Sequence, residues 1–345
     1  MPSKLTVDPF GAALEIESDE SILQAVLRQG RFVKYGCKHG GCGTCRAELI
    51  SGECRLSDQT SFSLSDADRS AGIVLMCSTY VDAGDVVVDV GATMDLTEEE
   101  FSAGQLIVES DAVVSAIEHL THDIRVLHLD LPAGTPMHFA PGQYAELQVP
   151  GTATAWRSYS MSSLPADANR LEFIIKIIQG GQFSSPMEKF EVGSVVRVRG
   201  PFGQFGIRLS HRPIIMVAGG SGMAPIRSML RHMVASGNKR PVTFFFGART
   251  ERDLYLTSWL NGLQDEHEWF RYVPALSDVE LGESEWAGHR GLVTDVLDGV
   301  LEMPLRNYEA YLCGPPQMID AAIATLIRRG CRDTHIYFDR FVPSG

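Results

Sequence analysis

The segment YGCKHGGCGTC, residues 35–45, gathers three of the seven cysteines of the chain into one short stretch. Cys37, Cys42 and Cys45 stand in C-x4-C-x2-C spacing, and 31 residues separate Cys45 from Cys77. This is the plant-type arrangement of thiolates around a [2Fe–2S] cluster, whereas structural zinc usually takes two C-x2–4-C pairs. The spacing therefore predicts a cluster on these four cysteines, with structural zinc as the alternative.

Glycines surround these thiols at positions 36, 40, 41 and 43. Because glycine has no side chain, the backbone can curl close to the sulfides and direct N–H groups at them. Cys54 and Cys331 lie outside the spacing, and we expect both to be buried free thiols. Basic residues border the loop and predict a local positive rim, which consists of Arg31, Lys34, Lys38, His39 and Arg46.

A second constellation follows in WRSYS, residues 156–160. Arg157 offers a forked cation for a phosphate, Tyr159 a flat aromatic face and Ser160 a hydroxyl. In the later stretch QGGQFSSPM, a glycine pair opens a turn, and Ser184 and Ser185 are suited to cap a helix whose N–H groups face a pyrophosphate. A flavin needs both a stacking surface and a phosphate site, and the two motifs in this order predict one.

The stretch PIIMVAGGSGMAPIRSML runs from an apolar strand through the glycine-rich residues 219–222 into a helix with Pro225 in its first turn. It is not G-x-G-x-x-G, the usual dinucleotide fingerprint. The glycines nevertheless allow a nucleotide to approach the backbone closely, and the helix N-terminus attracts phosphate. The alternative to a nucleotide site is a tight turn that serves only packing. Farther on, YLCGPPQM places Cys313 and Gly314 at the carboxyl end of a buried strand, where open α/β sheets bind ligands.

Three patterns of secondary structure carry these motifs. Residues 1–93 form short alternating strands around one helix, SDESILQAVLRQG. Residues 107–210 alternate in runs separated by Pro and Gly, as in an antiparallel barrel. Residues 211–345 switch to buried strands alternating with helices, which indicates a parallel α/β domain. The acidic residues 94–106 have no period and are expected to form a linker. The predicted fold is therefore multidomain, α+β and α/β.

Composition narrows the class of protein. The chain has 345 residues, of which 44% are apolar, so it is long enough for two or three domains. Its net charge of −13 argues against nucleic-acid binding. No apolar run approaches the ~20 residues of a membrane span, and the start MPSKLTVDPF lacks a signal sequence. We therefore expect a cytoplasmic protein without a membrane partner.

Together these motifs resemble the ferredoxin-NAD(P)+ reductase superfamily, in particular the reductase components of multicomponent bacterial oxygenases with an N-terminal plant-type ferredoxin domain. The resemblance covers nearly the whole chain and implies a β-grasp ferredoxin domain, an antiparallel FAD-binding β-barrel and an NAD-binding α/β domain. It implies that Arg157 and Ser184 hold the FAD phosphates, that Tyr159 packs on the flavin and that Ser160 hydrogen-bonds near its N5. The remaining implied cofactor-binding residues are Lys176, Gly181, Gly219, Gly220, Ser221, Gly222, Pro225, Asp278, Gly314 and Pro315.

The resemblance also implies the reaction. Hydride passes from NADH to flavin N5, single electrons pass to the cluster, and a separate oxygenase component receives them. Separately from the resemblance, the positive rim predicts that this component docks near the cluster loop, with an ordinary solvated loop as the alternative. The implied catalytic residues are Ser160, Cys313 beside the hydride path, and Phe341, chosen over Phe338, as the aromatic cover of the flavin. A di-iron monooxygenase and a Rieske dioxygenase are both possible acceptors. The alternative functions are a reductase that feeds a sugar dehydratase and a redox sensor without turnover.

The choice of nicotinamide depends on the segment FRYVPALSDVE. In NADPH-using relatives a Ser-Arg pair meets the 2′-phosphate at this place, whereas here Ser277 and Asp278 stand there. A carboxylate repels a phosphate but accepts a hydrogen bond from a free ribose 2′-hydroxyl. Asp278 as an exposed loop acid is the alternative, and Arg249 and Arg252 offer a phosphate site from the preceding loop. The sequence thus predicts NADH rather than NADPH.

Overall fold

The structure is a computed structural model that describes residues 3–17, 19–36, 38, 40, 43–57, 63–278, 286–302 and 304–341. The chain folds as two compact units. The first unit comprises residues 1–107 with 201–204, and the second comprises residues 108–200 with 205–345. Within the described residues, no helix is long and apolar enough to cross a membrane.

The first unit contains a five-stranded mixed sheet that packs on one helix. The helix α1 (Ile22–Arg28) begins at Ser21, which forms a capping box with Gln24, and five of its seven residues are buried. The strands are β1 (Ser3–Asp8), β2 (Ala12–Ile16), β3 (Arg46–Leu56), β4 (Ile73–Leu75) and β5 (Thr79–Asp89). They lie in the order β2-β1-β5-β3-β4, and only the β1-β5 pair is parallel among the described pairs. This is the β-grasp arrangement that the family resemblance implies.

Two short helices complete this unit, α2 (Asp66–Ser70) and α3 (Glu98–Ser102). α3 lies in the acidic segment expected to be a linker. Its Phe101 is 1% exposed, and the Phe101 ring stacks on Phe10 with ring centroids 4.3 Å apart. The Phe101 carbonyl accepts a hydrogen bond from the Phe32 N–H at 2.8 Å. The acidic segment is therefore anchored to the first unit by one aromatic residue, while the domain limits at residues 93 and 106 stay a prediction.

The two cysteines outside the cluster spacing differ in burial. Cys331 is 4% exposed, and burial raises the pKa of its thiol to about 11. Cys54 is only half-buried. It lies in the second half of β3, beyond the register shifts between Leu49 and Cys54, where most residues of this long strand are exposed. The predicted burial is confirmed for Cys331 and wrong for Cys54.

The second unit begins with a six-stranded antiparallel sheet. Its strands are β6 (Val108–His119), β7 (Ile124–Asp130), β8 (Tyr144–Gln148), β9 (Trp156–Ser160), β10 (Arg170–Lys176) and β11 (Val195–Phe202). They lie in the order β10-β7-β6-β11-β8-β9, and an antiparallel bridge between Met161 and Phe173 joins the two ends. The sheet is thereby almost closed around a core that includes Leu129 and Phe173. The short helix α4 (Ser184–Met187) follows β10.

The rest of the second unit is a parallel sheet with helices. Its strands are β12 (Ile214–Gly219), β13 (Val242–Ala248), β14 (Phe270–Leu276), β15 (His289–Arg290), β16 (Glu309–Gly314) and β17 (Ile336–Arg340). The helices are α5 (Met223–Ser236), α6 (Thr257–Glu266), α7 (Val293–Val300) and α8 (Pro316–Arg328). All six residues of β12 are buried, and alternate residues enter different cores, Ile214 and Met216 on one face and Ile215 and Val217 on the other.

The strand order of this sheet determines where a ligand is expected. The order is β15-β14-β13-β12-β16-β17, with every pair parallel. The chain moves outward from β12 to β15 and then returns to place β16 on the other side of β12. Such a reversal opens a crevice at the carboxyl ends of the two central strands, which is the usual ligand site of open α/β sheets. The predicted fold class is confirmed.

Candidate functional site

Cys45 and Cys77, two of the four predicted cluster ligands, lie close together in the first unit. Cys45 directly precedes β3, and Cys77 lies in a 3-10 turn between β4 and β5. The Cys45 carbonyl accepts a hydrogen bond from the Met76 N–H at 2.9 Å, which joins the two segments. Both cysteines are buried, at 2% and 6% exposed. Two buried thiols held by backbone pairing fit half of the thiolate set of a [2Fe–2S] cluster.

The other two predicted ligands, Cys37 and Cys42, lie outside the described residues, as does His39. In the described part of this loop, Gly40 and Gly43 have positive φ angles of 81° and 69°. Glycine adopts this left-handed conformation without the steric cost that other residues incur. The tight curvature predicted for the glycine-lined loop is therefore present at these two positions.

The predicted positive rim is partly neutralised within the first unit. Arg46 Nη1 lies 2.8 Å from Asp68 Oδ1. Hydrogen bonds from Ser65, together with Arg46, lower the pKa of the Asp68 carboxyl to about 2, so this carboxylate stays charged. The Arg31 guanidinium lies 5.8 Å from the centroid of the Phe101 ring. Arg46 thus stabilises the loop border, and the role of the rim in docking stays a prediction.

Arg157, Tyr159 and Ser160 lie on β9 of the barrel, next to the loop that follows β10. Arg157 Nη2 donates a hydrogen bond to Gln182 Oε1, and the Tyr159 and Phe183 rings are 5.3 Å apart. Burial raises the pKa of Tyr159 to about 12, so its ring stays a neutral aromatic surface. The structure therefore brings the WRSYS strand and the QGGQFSSPM loop together, which the flavin prediction requires.

Three further residues of the predicted flavin site have partners within the protein. Ser184 is 4% exposed, and its Oγ accepts a hydrogen bond from the Ile178 N–H at 3.1 Å. A Cβ added to Gly181 would lie 2.4 Å from this hydroxyl. Lys176 Nζ lies 3.1 Å from Asp123 Oδ2. Ser184 thus closes the loop beside Arg157. The predicted serine cap is wrong, because α4 begins after Phe183 without a side-chain cap, and the Ser184 and Ser185 hydroxyls bond to Ile178 instead. The contacts of the flavin-site residues with FAD stay predictions.

The glycine-rich residues 219–222 lie at the carboxyl end of β12 and touch the end of β16. A Cβ added to Gly222 would lie 2.2 Å from the Cys313 carbonyl oxygen, so only glycine fits there. Gly314 has a φ of 140°, and a Cβ on it would lie 3.0 Å from the Gly219 carbonyl oxygen. The two strand ends approach so closely because neither has a side chain at the contact. A backbone surface without side chains suits the close approach of a pyrophosphate.

Helices α5 and α8 begin at this same edge. Pro225 lies in the first turn of α5, and Pro315 directly precedes α8. Because β12 and β16 are adjacent and parallel, both helix N-termini face the crevice, and both favour an anion there. The structure therefore brings the predicted pyrophosphate residues together with two other predicted cofactor-binding residues, Gly314 and Pro315. The predicted pyrophosphate residues are Gly219, Gly220, Ser221, Gly222 and Pro225.

Cys313 and Phe341 approach the crevice from its β16 side. Cys313 is fully buried, and burial raises the pKa of its thiol well above the ordinary value, so the thiol stays protonated. The Phe341 N–H donates to the Gly314 carbonyl at 2.9 Å, which places the residue at the crevice. Phe338 is 42% exposed, with the Arg340 guanidinium 4.2 Å from its ring centroid. The choice of Phe341 over Phe338, and the roles of both side chains toward a flavin, stay predictions.

Asp278 lies just beyond β14 and is paired with Arg249, which follows β13. Arg249 Nε donates to Asp278 Oδ2 at 3.0 Å, and Ser277 Oγ donates to Oδ1 at 2.8 Å. The bond from Ser277 and then that from Arg249 lower the pKa of Asp278. The carboxylate is therefore charged in the neutral range. Each oxygen keeps a lone pair for a further donor such as a ribose hydroxyl.

Our sequence analysis missed an ionic cluster between the barrel and helix α5. Glu172 of β10 is 8% exposed, and its Oε2 lies 2.7 Å from Arg227 Nη1 and 2.8 Å from Arg231 Nη1. On the same helix, Ser228 Oγ donates to the Ser163 carbonyl at 2.8 Å. These contacts fix the helix that begins at the glycine loop to the strand that leads to the flavin loop. The spacing of the two arginines, one helical turn apart, was the only available signal.

Comparison with known families supports this three-part architecture. Residues 5–82 match the 2Fe-2S iron-sulfur cluster binding domain, residues 111–207 match the oxidoreductase FAD-binding domain, and residues 216–323 match the oxidoreductase NAD-binding domain. The three predicted cofactors are therefore confirmed, and the cluster interpretation of the cysteine spacing is favoured over zinc.

Similar proteins share the whole architecture. The reductase component of propane 2-monooxygenase from Mycolicibacterium goodii is 34% identical, with 98% of this chain and 97% of that protein covered. The reductase component of phenol 2-monooxygenase from Pseudomonas sp. (strain CF600) is 34% identical, with 99% and 95% covered. The crystal structure of an Amycolatopsis cytochrome P450 reductase superposes with a TM-score of 0.88 and 28% identity over 99% of this chain and 100% of that one. The chain therefore belongs to the ferredoxin-NAD(P)+ reductase superfamily and is an electron-transfer oxidoreductase with [2Fe–2S]-, FAD- and NAD-binding domains in one polypeptide.

Proposed function

We propose that this chain is the reductase component of a multicomponent monooxygenase and delivers electrons from NADH to a separate hydroxylase. The observation that carries the proposal is the combination, in one chain, of the glycine-lined crevice between β12 and β16, the Arg157–Tyr159 surface of β9 and the paired Cys45 and Cys77. When bound, the nicotinamide, the flavin and the cluster supply the change from a two-electron to a one-electron carrier.

The residues of the chain bind and orient these groups. In this proposal the residues 219–222 hold the nucleotide pyrophosphate, Arg157 meets a flavin phosphate and Tyr159 packs on the flavin ring. Ser160, buried at 5% exposed, offers its hydroxyl near the flavin N5, and Phe341 covers the ring. Cys313, whose thiol stays protonated, would lie beside the hydride path.

A redox sensor without turnover is the competing function of a different class. Purified protein of the proposed type contains roughly two irons, two acid-labile sulfides and one FAD per chain, from the cluster type and one flavin site. On addition of NADH it reduces ferricyanide or cytochrome c continuously. A sensor is reduced once and then stops, so a single turnover without a steady rate would decide against a reductase.

The monooxygenase acceptor is proposed because two similar proteins, at 34% identity over almost their full length, are named as reductases of propane and phenol monooxygenases. The alternative acceptors are a Rieske dioxygenase and a sugar dehydratase. Purified candidate partners, mixed with this chain and NADH, give the test. The proposal requires that a monooxygenase hydroxylates its substrate with electrons from this chain, at a rate that increases with the amount of reductase. It fails if the chain supplies electrons only to a dioxygenase or a dehydratase.

We place the docking site of the hydroxylase near the cluster loop, at Lys34 and Lys38. Complementary charge mainly accelerates encounter, so its reversal slows association at low salt. Lys34→Glu combined with Lys38→Glu is expected to slow hydroxylase reduction severalfold and to leave ferricyanide reduction unchanged. Lys4→Glu, the same reversal at an exposed position of β1, is the matched control. Equal hydroxylase rates in all three proteins would place the docking site elsewhere.

Asp278 is proposed to select NADH. Its charged carboxylate accepts a hydrogen bond from the ribose 2′-hydroxyl and repels a 2′-phosphate. kcat/KM for NADH is expected to exceed that for NADPH at least tenfold, which is about 1.4 kcal/mol, and Asp278→Arg is expected to narrow the ratio. Arg249→Gln, which removes the partner but keeps the carboxylate, is expected to preserve the NADH preference. A wild-type preference for NADPH would show that the role assigned to Asp278 is wrong.

A further inference from the structure

Tyr255 lies beneath the glycine-rich residues 219–222 and is bonded to them. It is 4% exposed, and its hydroxyl donates to the Gly220 carbonyl at 2.7 Å. Its ring meets Phe246 edge-on, with centroids 5.5 Å apart at 88°. Burial raises the pKa of Tyr255 well above its ordinary value, so the hydroxyl keeps its proton and remains a donor. A buried polar group of this kind is stable only with its partner in place.

The backbone next to Tyr255 is strained. Leu256, the residue before α6, has φ 55° and ψ 17°, a left-handed conformation. For a residue with a Cβ this conformation costs roughly 1–2 kcal/mol, and such strain persists only where the surrounding structure imposes it. The sharp turn at Leu256 allows the chain to start α6 while Tyr255 points into the core. The bond from Tyr255 to Gly220 is one of the contacts that hold this arrangement.

The partners of the Gly220 carbonyl fix the orientation of the peptide that follows it. The carbonyl accepts from Tyr255 on one side and from the Met223 N–H of α5 on the other. In a trans peptide the N–H points opposite to the C=O. Because the Gly220 carbonyl is directed at the protein interior, the Ser221 N–H is directed away from it, toward the open side of the crevice.

We infer that Tyr255 is a positioning residue for the nucleotide: its hydroxyl holds the Gly220–Ser221 peptide so that an N–H, and not a carbonyl oxygen, faces the pyrophosphate. The carbonyl in that place would repel the phosphate oxygens, whereas the N–H binds them. The inference rests on the proposed role of residues 219–222 in nucleotide binding, and it adds a residue from the β13–α6 connection to that site.

Tyr255→Phe tests the inference because it removes one hydroxyl and keeps the ring. Tyr272→Phe is the matched control, since Tyr272 is 7% exposed and lies in the same apolar core. The probe is ADP-ribose, which contains the pyrophosphate but no nicotinamide, measured by calorimetry on FAD-loaded protein. We expect Tyr255→Phe to weaken ADP-ribose binding about tenfold, or about 1.4 kcal/mol, and Tyr272→Phe to change it less than about twofold. KM for NADH is expected to rise in Tyr255→Phe with kcat for ferricyanide reduction unchanged.

Three outcomes would overturn the inference or its basis. Unchanged ADP-ribose binding in Tyr255→Phe, while Gly222→Ala weakens it, would show that the loop binds the nucleotide without help from Tyr255. Equal weakening in both Phe variants would assign the effect to core packing. Unchanged binding in both Gly222→Ala and Tyr255→Phe would instead contradict the proposed role of the loop itself.

Discussion

Two glycine-rich loops of the second unit bring backbone close to a proposed phosphate site, but different contacts fix their shapes. The loop at residues 219–222 follows β12, and the loop at residues 180–184 follows β10. Each contains one glycine with positive φ and open space around it, Gly220 at 55° and Gly180 at 75°. Each also contains a glycine without room for a Cβ. For Gly222 the obstacle is the Cys313 carbonyl of the neighbouring strand, whereas for Gly181 the nearest obstacle is the Ser184 hydroxyl of its own loop.

The difference shows what fixes each loop. The first loop is held by the backbone of β16 and by Tyr255, which are distant in the sequence, so its shape depends on the whole parallel sheet. The second loop is closed mostly by local bonds to Ile178, whose carbonyl accepts from the Gly181 N–H at 2.9 Å and whose N–H donates to Ser184 Oγ at 3.1 Å. The obstacle at Gly222 is backbone that cannot turn away, whereas the nearest obstacle at Gly181 is a hydroxyl that can rotate. Substitutions should therefore affect the nucleotide loop more than the flavin loop.

Gly222→Ala is expected to have the largest effect. The added Cβ would lie 2.2 Å from the Cys313 carbonyl oxygen, and backbone on both sides prevents an easy shift. Overpacking of this kind costs roughly 1–3 kcal/mol, so KM for NADH should rise by a factor of about five to about 150. Gly262→Ala in α6, where a Cβ has open space, is the control and should leave KM unchanged. A near-normal KM for NADH in Gly222→Ala would show that the nucleotide loop is not fixed rigidly against the backbone of β16.

Glu172→Gln tests the ionic cluster that connects the two regions. Glu172 lies on the strand before the flavin loop, and its partners Arg227 and Arg231 lie on the helix after the nucleotide loop. The amide keeps an acceptor but loses the charge beside two partly buried guanidinium groups. We expect a loss of roughly 1–3 kcal/mol in the free energy of unfolding and slower flavin reduction by NADH, with dithionite reduction unaffected.

The control for this variant is Glu188→Gln. Glu188 pairs with Arg125 of the same barrel, but its side chain is 47% exposed, and exposed pairs contribute little. Thermal unfolding and stopped-flow flavin reduction should both remain close to wild type in this control. If Glu172→Gln behaves like Glu188→Gln, the cluster does not position α5 relative to the barrel.

Gly181→Ala is expected to have a smaller effect on FAD affinity, about tenfold or less, from an overpacking cost of roughly 1 kcal/mol. The added Cβ would lie 2.4 Å from Ser184 Oγ and 2.9 Å from the Ile178 carbonyl oxygen, and only the hydroxyl can turn away easily. Adding Ser184→Ala should therefore recover part of the loss, although Ser184→Ala alone weakens the loop. The measurement is a double-mutant cycle on FAD dissociation constants. Additive losses would contradict the local closure of this loop.

The sequence was most informative where function depends on local spacing. The cluster cysteines, the WRSYS strand and the glycines at 219–222 are short patterns whose chemistry requires nearby residues of fixed type. The acidic segment was less predictable, because the helix α3 depends on contacts of Phe101 with Phe10 and Phe32. Composition alone does not predict that a single buried aromatic residue, Phe101, anchors this segment.

Individual side-chain contacts between distant segments were not predicted. The parallel sheet brings Tyr255 and Gly220 together. Glu172 belongs to the barrel, whereas its partners Arg227 and Arg231 belong to a helix of the α/β domain. A tyrosine after an acidic turn and a glutamate within an apolar strand have no distinctive local pattern. Asp278 is intermediate, since its position after β14 was inferred correctly but its bond with Arg249 required the sheet order.

The smallest effects are expected from Gly180→Ala and Gly220→Ala, and these two variants compare the loops directly. Both glycines have positive φ and no neighbour within 4 Å of an added Cβ, so each substitution introduces backbone strain of roughly 1 kcal/mol and no clash. Equal strain should have unequal consequences. In Gly180→Ala the local loop can relax, and FAD affinity should fall less than about threefold. In Gly220→Ala the carbonyl is held by Tyr255 and Met223, so the strain must be borne at the nucleotide site, and ADP-ribose affinity should fall about fivefold. Equal losses of affinity for FAD and for ADP-ribose would show that both loops are equally rigid, and would contradict the distinction between them.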